Sequence, residues 1–343
     1  MSYHVKGYGD IFVYITGGKA HGRNLRKHET KKLGKLEKIT PHDSKLVVKT
    51  LKLFEDEYSQ KNKSQKTVYL EMDTKPTDPK IEIDVKKALI HPGYYGRLPP
   101  AAGNLFWSMY KMFLREKMMK NSSRIRMKSR SIIRDYERGI DIEKLTKKYD
   151  YPPSSLMRII LKFFYNIKSP DQVKKILKDP IKYKPKGLSH KEHNDLIEQV
   201  EWAHENDIIA SARQDIVIER ADEYEQYIGS FLKKNNIKFT SQEKMVEIQK
   251  KKYGRPVATP DFLLETPVYI NNLPIAWIDA KHFYGGSLSF IQEKLEKQVS
   301  RYNKMWGYGA LIFSAGFSDK LTVPGALLVS LEKPSHTKLI PKK

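Results

Sequence analysis

Two short segments decide the fold: Thr259-Pro260-Asp261-Phe262-Leu263-Leu264 and Ala276-Trp277-Ile278-Asp279-Ala280-Lys281-His282-Phe283. Each is apolar and β-prone around its charges, which is the composition of a buried strand. Between them Asn271-Asn272 is a turn signal, since Asn tolerates the left-handed backbone of tight turns. The pattern predicts a hairpin, with Asp261 on one strand and Asp279 and Lys281 on the other. Successive side chains on a strand point to opposite faces, so Asp279 and Lys281 share a face that His282 does not. A loop of Asn271-Asn272 alone would pair residue 261 with residue 282 and turn Asp261 away from Asp279. Uniting the two carboxylates requires a three-residue loop, Asn271 to Leu273, or a bulge near Thr266-Pro267.

Two aspartates and a lysine in that arrangement suit phosphodiester chemistry. A hard cation neutralises phosphate charge and activates water, and Mg²⁺ binds through one or two carboxylates plus waters and phosphate. A lysine beside them positions the attacking water or stabilises developing charge. The individual pieces carry little information. Pro-Asp recurs at Pro170-Asp171, and Asp-x-Lys recurs at Asp43, Asp73, Asp78 and Asp84. The Asp84 copy lies in Lys80–Val85, which alternates like a strand, but no Pro-Asp strand precedes it. Only Asp261, Asp279 and Lys281 combine both signals on consecutive strands.

Two flanking helices add candidates. Glu223 and Glu225 precede Ile228, Phe231 and Leu232. Glu225 is the preferred third metal ligand, being three and seven residues before Ile228 and Leu232 and so on the face turned toward the sheet. Gln298 and Tyr302, spaced i,i+4, share one helix face and could hold substrate or order the site.

Composition points the same way. The 343 residues carry 63 Lys+Arg against 40 Asp+Glu, a net charge of +23. Such an excess favours a polyanionic partner, nucleic acid first. With no cysteine, disulfides, thiolate zinc sites and Cys nucleophiles are excluded. The sequence has no secretory pattern at Met1–Asp10, no apolar run of membrane-spanning length and no Walker phosphate loop, and its ten His lack metal-ligand spacing. An intracellular protein with no membrane partner is expected.

Elsewhere, residues 10–15, 67–72 and 80–85 look like short strands, and 16–45 is a basic stretch. A helical region begins near Pro99, and Arg115–Arg134 holds eight basic residues and one acid, Glu116. Residues 131–138, ending before Gly139, then 141–148 capped by Asp141, then a helix capped by Ser154 or Ser155, have the layout of a helix-turn-helix. The third helix has Leu156, Ile159, Ile160, Phe163 and Phe164 on its apolar side. Arg158 and Lys162 share another face and are the candidate nucleic-acid contacts, although small three-helix bundles pack the same way without DNA. Lys182–Lys186, between prolines, reads as a linker, followed by helices at 188–204 and 216–235.

These residues together resemble the TPD-motif family, the codanin-interacting nuclease family, of the PD-(D/E)XK nuclease superfamily. The resemblance rests on Glu223-Tyr224-Glu225, Thr259–Leu264, Trp277–Lys281, Gln298 with Tyr302, and Gly307-Tyr308-Gly309. Asp150–Met157 and Lys178–Pro180 extend it, so that it covers roughly residues 95–330. It implies an α/β protein in three parts: an extension of unknown role (1–90), a mostly helical helix-turn-helix region (91–185), and a restriction-endonuclease-like α/β domain with a central mixed sheet (186–343). It further implies Mg²⁺ or Mn²⁺ as cofactor, held by Asp261, Asp279 and Glu225, with Lys281, Gln298 and Tyr302 completing the site. The family often has Glu at the position of Asp279. The implied activity is metal-dependent, possibly structure-selective hydrolysis of DNA. A codanin-like partner and a place in nucleus and cytoplasm are expected if the source is eukaryotic. The alternatives are a catalytically weak nuclease-fold scaffold and a DNA-binding regulator acting through a protein partner.

Overall fold

A computed structural model of the chain describes residues 2–5, 9–16, 19–23, 41–61, 67–89, 103–209 and 214–332. Packing divides the chain into two units, one made of the residues up to Thr77 with those from Ala221 onward, the other of Asp78–Arg220. The fold is mixed α/β, with eleven helices and nine strands among the described residues. No helix among them is long and apolar enough to cross a membrane.

The first unit is built on a six-stranded mixed sheet. Its strands are β4 (Val68–Leu70), β5 (Phe239–Ser241), β6 (Phe262–Ile270), β7 (Leu273–Lys281), β8 (Gly309–Phe313) and β9 (Ala326–Ser330). The main order is β4-β6-β7-β8-β9, with β5 also paired to β6. β6 and β7 form the expected hairpin, whereas β7-β8 and β8-β9 run parallel. The parallel pairs require a crossover, and helix α11 (Ser289–Trp306) supplies the one between β7 and β8. Three further strands, β1 (Ser2–Val5), β2 (Gly9–Thr16) and β3 (Lys19–Arg23), form a separate antiparallel sheet. β2 contains the strand expected at 10–15, and most of the basic stretch expected at 16–45 lies outside the described residues.

Alternation along β8 builds both layers. Ala310 and Ile312 join one core with α1 (Pro41–Lys61) and α9 (Gln214–Lys234), while Leu311 and Phe313 join another with α11. Tyr224, Ile228 and Leu232 of α9 recur every fourth residue and are fully buried on the first face. Trp277 is the largest fully buried side chain on the second. Its indole explains one end of Gly307-Tyr308-Gly309, because a Cβ on Gly309 would collide with it, and its Nε1 donates to the Gly307 carbonyl at 2.9 Å.

Residues 41–77, expected to belong to an extension, are part of this unit. Val47 and Leu51 of α1 enter the first core. The fully buried Thr50 Oγ1 accepts from the Tyr308 amide at 2.7 Å. Past β4, Met72 exchanges two hydrogen bonds, each 2.9 Å, with the side chain of Asn271 at the hairpin turn.

Residues 80–85 are a correction, because they lie in helix α2 (Pro79–Ala88) and not in a strand. The Asp78 carboxylate accepts from the Lys80 amide at 2.9 Å, and Pro79 sits in the first turn. That start signal outweighs the alternation of Ile81, Ile83 and Val85, leaving Ile83 half exposed while Val85 is buried. Asp84 is thus a solvent-facing helix residue beside Lys87.

The second unit is helical, comprising α2, α3 (Gly103–Met127), α4 (Ser129–Glu137), α5 (Ile142–Tyr149), α6 (Pro153–Phe163), α7 (Pro170–Lys178) and α8 (His190–Asn206). The onset expected near Pro99 falls outside the described residues. Gly139, at φ +82°, follows α4, and Asp141 caps α5 through the Lys144 amide at 2.8 Å. Neither Ser154 nor Ser155 caps α6. Its N-cap is Pro152, and the Ser154 amide is satisfied by the buried Asp207 carboxylate at 3.1 Å, from the end of α8. Leu156, Met157, Ile160 and Leu161 form the buried face of α6, and Phe163 and Phe164, expected on it, are exposed. Leu196, Val200 and Ala203 of α8 enter the same core. The boundary expected at 185/186 therefore lies inside the helical unit, and the one at 90/91 cuts off α2, which packs with it.

Candidate active site

The hairpin closes through a two-residue loop, with Asn271 at φ +46° and Asn272 at φ +70°. Near the turn the register is Ile270↔Leu273 and Val268↔Ile275, while at the far end it is Leu263↔Trp277 and Phe262↔Ile278. β6 thus contains a bulge between Leu263 and Val268, which includes the expected Thr266-Pro267. The bulge is anchored on Lys238, whose amide donates to Thr266 Oγ1 at 2.9 Å and whose carbonyl accepts from Glu265 at 2.9 Å. Continuing the 262↔278 register by one residue sets Asp261 opposite Asp279. The Ala280 amide donates to Asp261 Oδ2 at 2.7 Å, which fixes that carboxylate on the edge of β7.

Asp279 is 1% exposed and Asp261 is 9% exposed. Asp279 Oδ2 is ion-paired with the Lys281 ammonium, and among the described residues no other donor reaches it. Lys281 Nζ also donates to Gln298 Oε1 at 3.1 Å, and Gln298 Nε2 donates to the Tyr302 hydroxyl at 2.7 Å. That hydroxyl lies 3.3 Å from Asp279 Oδ1 and 3.4 Å from the Thr259 carbonyl. Gln298 and Tyr302 thus connect α11 to both Asp279 and Lys281. His282 lies on the other face, its ring 5.5 Å from that of Tyr224.

Placing two carboxylates in a nearly dry site has an electrostatic consequence. Burial, then the charge of Asp279, pushes Asp261 up to about 8. Burial and the same charge raise the Tyr302 hydroxyl, so it stays protonated and donates. Glu225 is raised by burial, then by Glu243, Asp222 and Asp279. It lines an open cleft of about 540 Å³ with Asp222, Glu243, Phe239 and Phe262, whereas Glu223 is exposed.

The three expected metal ligands do not all converge. Among the described residues no three His, Asp or Glu side chains lie close enough to hold one ion. Asp261 and Asp279 meet, while Glu225 is felt by them only through its charge. The two that meet fit a hard divalent cation, being buried oxygen donors of which one has an oxygen, Asp279 Oδ2, engaged by the Lys281 ammonium and by no hydrogen-bond donor among the described residues, and the other holds its charge poorly without a cation. Sequence reasoning missed Gln242, the first residue of α10 (Gln242–Tyr253), whose Nε2 reaches the Thr259 carbonyl at 3.3 Å and Asp261 Oδ1 at 3.4 Å. It also missed the buried Gln249, whose amide holds the Val257 and Ala258 backbone leading to Asp261. A surface-type residue on a Lys-rich helix carries no local signal of either role. Arg158 and Lys162 both lie on the exposed side of α6 in the helical unit.

Residues 192–331 match the family model described as a protein of unknown function with the TPD sequence motif. An uncharacterised protein of Acanthamoeba polyphaga mimivirus is 27% identical over 168 residues, 48% of this chain and 56% of that one. CDAN1-interacting nuclease 1 of Mus musculus is 28% identical over 184 residues, 52% of this chain and 60% of that protein. The Homo sapiens protein of the same name is 27% identical over 183 residues, again 52% and 60%. The chain thus spans somewhat over half the length of these relatives. No solved structure matches it.

Proposed function

Since residues 192–331 of this chain belong to the TPD sequence-motif family, we propose that the protein is a metal-dependent nuclease of the PD-(D/E)XK type, acting on DNA. One observation carries the reading: the bulge in β6 brings Asp261 opposite Asp279, on the face that also bears Lys281. The names of the vertebrate relatives agree with it, as does the charge of +23.

Asp261 and Asp279 would hold Mg²⁺ or Mn²⁺, with Glu225 reaching the ion through water or after closure of the cleft. The bound ion supplies charge neutralisation at the phosphate and a more acidic water. Lys281, held between Asp279 and Gln298, donates to a non-bridging phosphate oxygen when substrate enters. Tyr302 and Gln298 act through it, fixing the ammonium and the Asp279 carboxylate in one orientation. Gln242 and Gln249 hold the segment that presents Asp261. In the helical unit, Arg158 and Lys162 contact DNA phosphates. A codanin-like partner extends the proposal on the strength of the relatives' names alone.

The test is cleavage of single-stranded, duplex and branched DNA by wild type and Asp279→Ala, with Mg²⁺, Mn²⁺ or EDTA. Metal-dependent cutting that disappears in the variant is expected. Intact DNA binding with no cutting by the wild type would replace the enzyme with a nuclease-fold scaffold.

A further inference from the structure

The helical unit contains a second cleft, of about 480 Å³, lined by Ser129, Arg130, Ile133, Arg134 and Glu137 of α4 and by Phe163 at the end of α6. Residues 130, 133, 134 and 137 follow helical spacing, so one face of α4 forms a continuous wall. Arg130 and Arg134 are exposed, and among the described residues neither forms a salt bridge. Other basic residues in this part of the chain are engaged: Lys117 pairs with Asp150, Lys120 pairs with Glu116, and Arg124 donates to the Tyr149 carbonyl.

Phe163 is the unusual member. It is 56% exposed although it ends a helix whose inner face is fully packed. Lys162 Nζ, outside the cleft lining, lies 5.4 Å from its ring centroid, which sets a third cation beside the ring. A solvated phenyl ring bordered by three cations is poorly suited to an apolar protein partner. It suits a polyanion that also carries flat aromatic groups.

We infer that the cleft bounded by Arg130, Arg134 and Phe163 binds single-stranded nucleic acid, with an unpaired base stacked on Phe163 and its flanking phosphates on the two arginines. A duplex keeps its bases stacked within the helix and offers none to the ring, so the aromatic half of the site selects unpaired strands. Glu137 supports this, since a carboxylate repels phosphate but accepts from the amino group of a base edge. The site is separate from the one built on Asp261 and Asp279, and Lys162, beside the Phe163 ring, is the one residue it shares with the phosphate contacts proposed above.

The test is fluorescence anisotropy of the full-length chain in EDTA, using a short labelled mixed-sequence DNA strand and its matching duplex over a salt series. Phe163→Ala is expected to weaken single-strand binding about 5- to 150-fold, the range for losing one stacked base, and to leave duplex binding unchanged. Phe163→Tyr keeps a stacking face and is expected to bind like wild type. Arg130→Gln and Arg134→Gln should each lower the single-strand salt slope by about 0.7. Equal weakening of single strand and duplex by Phe163→Ala would overturn the inference, as would unchanged affinity for both. Cleavage plays no part in this measurement, so failure here leaves the proposed nuclease site untouched.

Discussion

In metal-free protein, replacing Asp261 by Asn should raise stability and remove the part of its pH dependence that this carboxyl supplies. Asp261 is held up to about 8 by burial and by Asp279, against an ordinary 3.8. The folded state therefore keeps a proton that the unfolded chain has already lost. Because the native state binds more protons, stability must fall as pH rises from the unfolded value of about 4 toward the folded value of about 8, and level off beyond it. At pH 7 about three pH units have been crossed, and at about 1.36 kcal/mol per unit the penalty reaches roughly 4 kcal/mol. That figure is a ceiling, since Lys281 can swing toward the charge as it forms.

The variant suits the test because Asn keeps an oxygen to accept from the Ala280 amide, now 2.7 Å from the carboxylate, while losing the charge. Urea denaturation in EDTA at pH 5, 6, 7 and 8 reads the slope directly. Wild type should lose stability across the series relative to the variant, so that the gap widens with pH. Histidines titrate in the same window, but they are common to both proteins and cancel in the difference. Mg²⁺ replaces the proton, so it should stabilise wild type increasingly toward pH 8 and leave the variant unmoved. Parallel curves for the two proteins would refute the reasoning, because Asp261 would then carry its charge without cost and the site would not be a compressed carboxylate pair.

Tyr302→Phe removes the hydroxyl that receives Gln298 and reaches Asp279; a loss of about 1–3 kcal/mol is expected by denaturation, with cleavage reduced through kcat more than KM. Thr50→Val deletes the hydroxyl that accepts from the Tyr308 amide at 2.7 Å, so a cost of about 1–3 kcal/mol is expected there too, and a neutral result would show that this bond does not help hold α1 to the sheet. Asp135, which accepts from Tyr149 at 2.6 Å and pairs with Lys148 at 2.7 Å, is held below the usual aspartate value mainly by those bonds. Its contribution is present above about pH 4 and lost as the pH falls through the lowered folded value, so Asp135→Asn should flatten the acid limb of a stability curve measured down to pH 2.

The parts of this molecule that were legible in the sequence are those whose signals are local. Asp141 before α5, Gly139 after α4 and the apolar spacing of Ile228, Phe231 and Leu232 each act within two turns of backbone. The failures required information from far along the chain. Nothing near Ser154 indicates that Asp207 satisfies the start of α6. Nothing in residues 41–77 announces that Thr50 receives Tyr308 or that Met72 clasps Asn271. The segment Lys80–Val85 is of another kind, since the helix-start signal is present locally in Asp78-Pro79 but competes with period-two alternation over six residues. Glu225 illustrates a third limit: helical spacing selects the face it occupies, but not whether its carboxylate meets Asp261 and Asp279.

The hairpin joins these cases. Asn271-Asn272 specifies a two-residue turn, and both residues adopt the positive φ that such a turn demands. Taken alone, that correct local reading separates the carboxylates, because an unbroken ladder from it pairs 261 with 282. The parity changes only through the extra residues between Leu263 and Val268. Pro267 has no amide to give to a ladder, and Thr266 finds its partner in Lys238 instead of β7, so the interruption has its own chemistry and its own anchor. A shift of three residues, being odd, moves Asp261 from the His282 face to the Asp279 face, as an even shift would not. The chemistry of the site therefore depends on Thr266-Pro267 as much as on the acids themselves, since those two residues decide whether the acids meet.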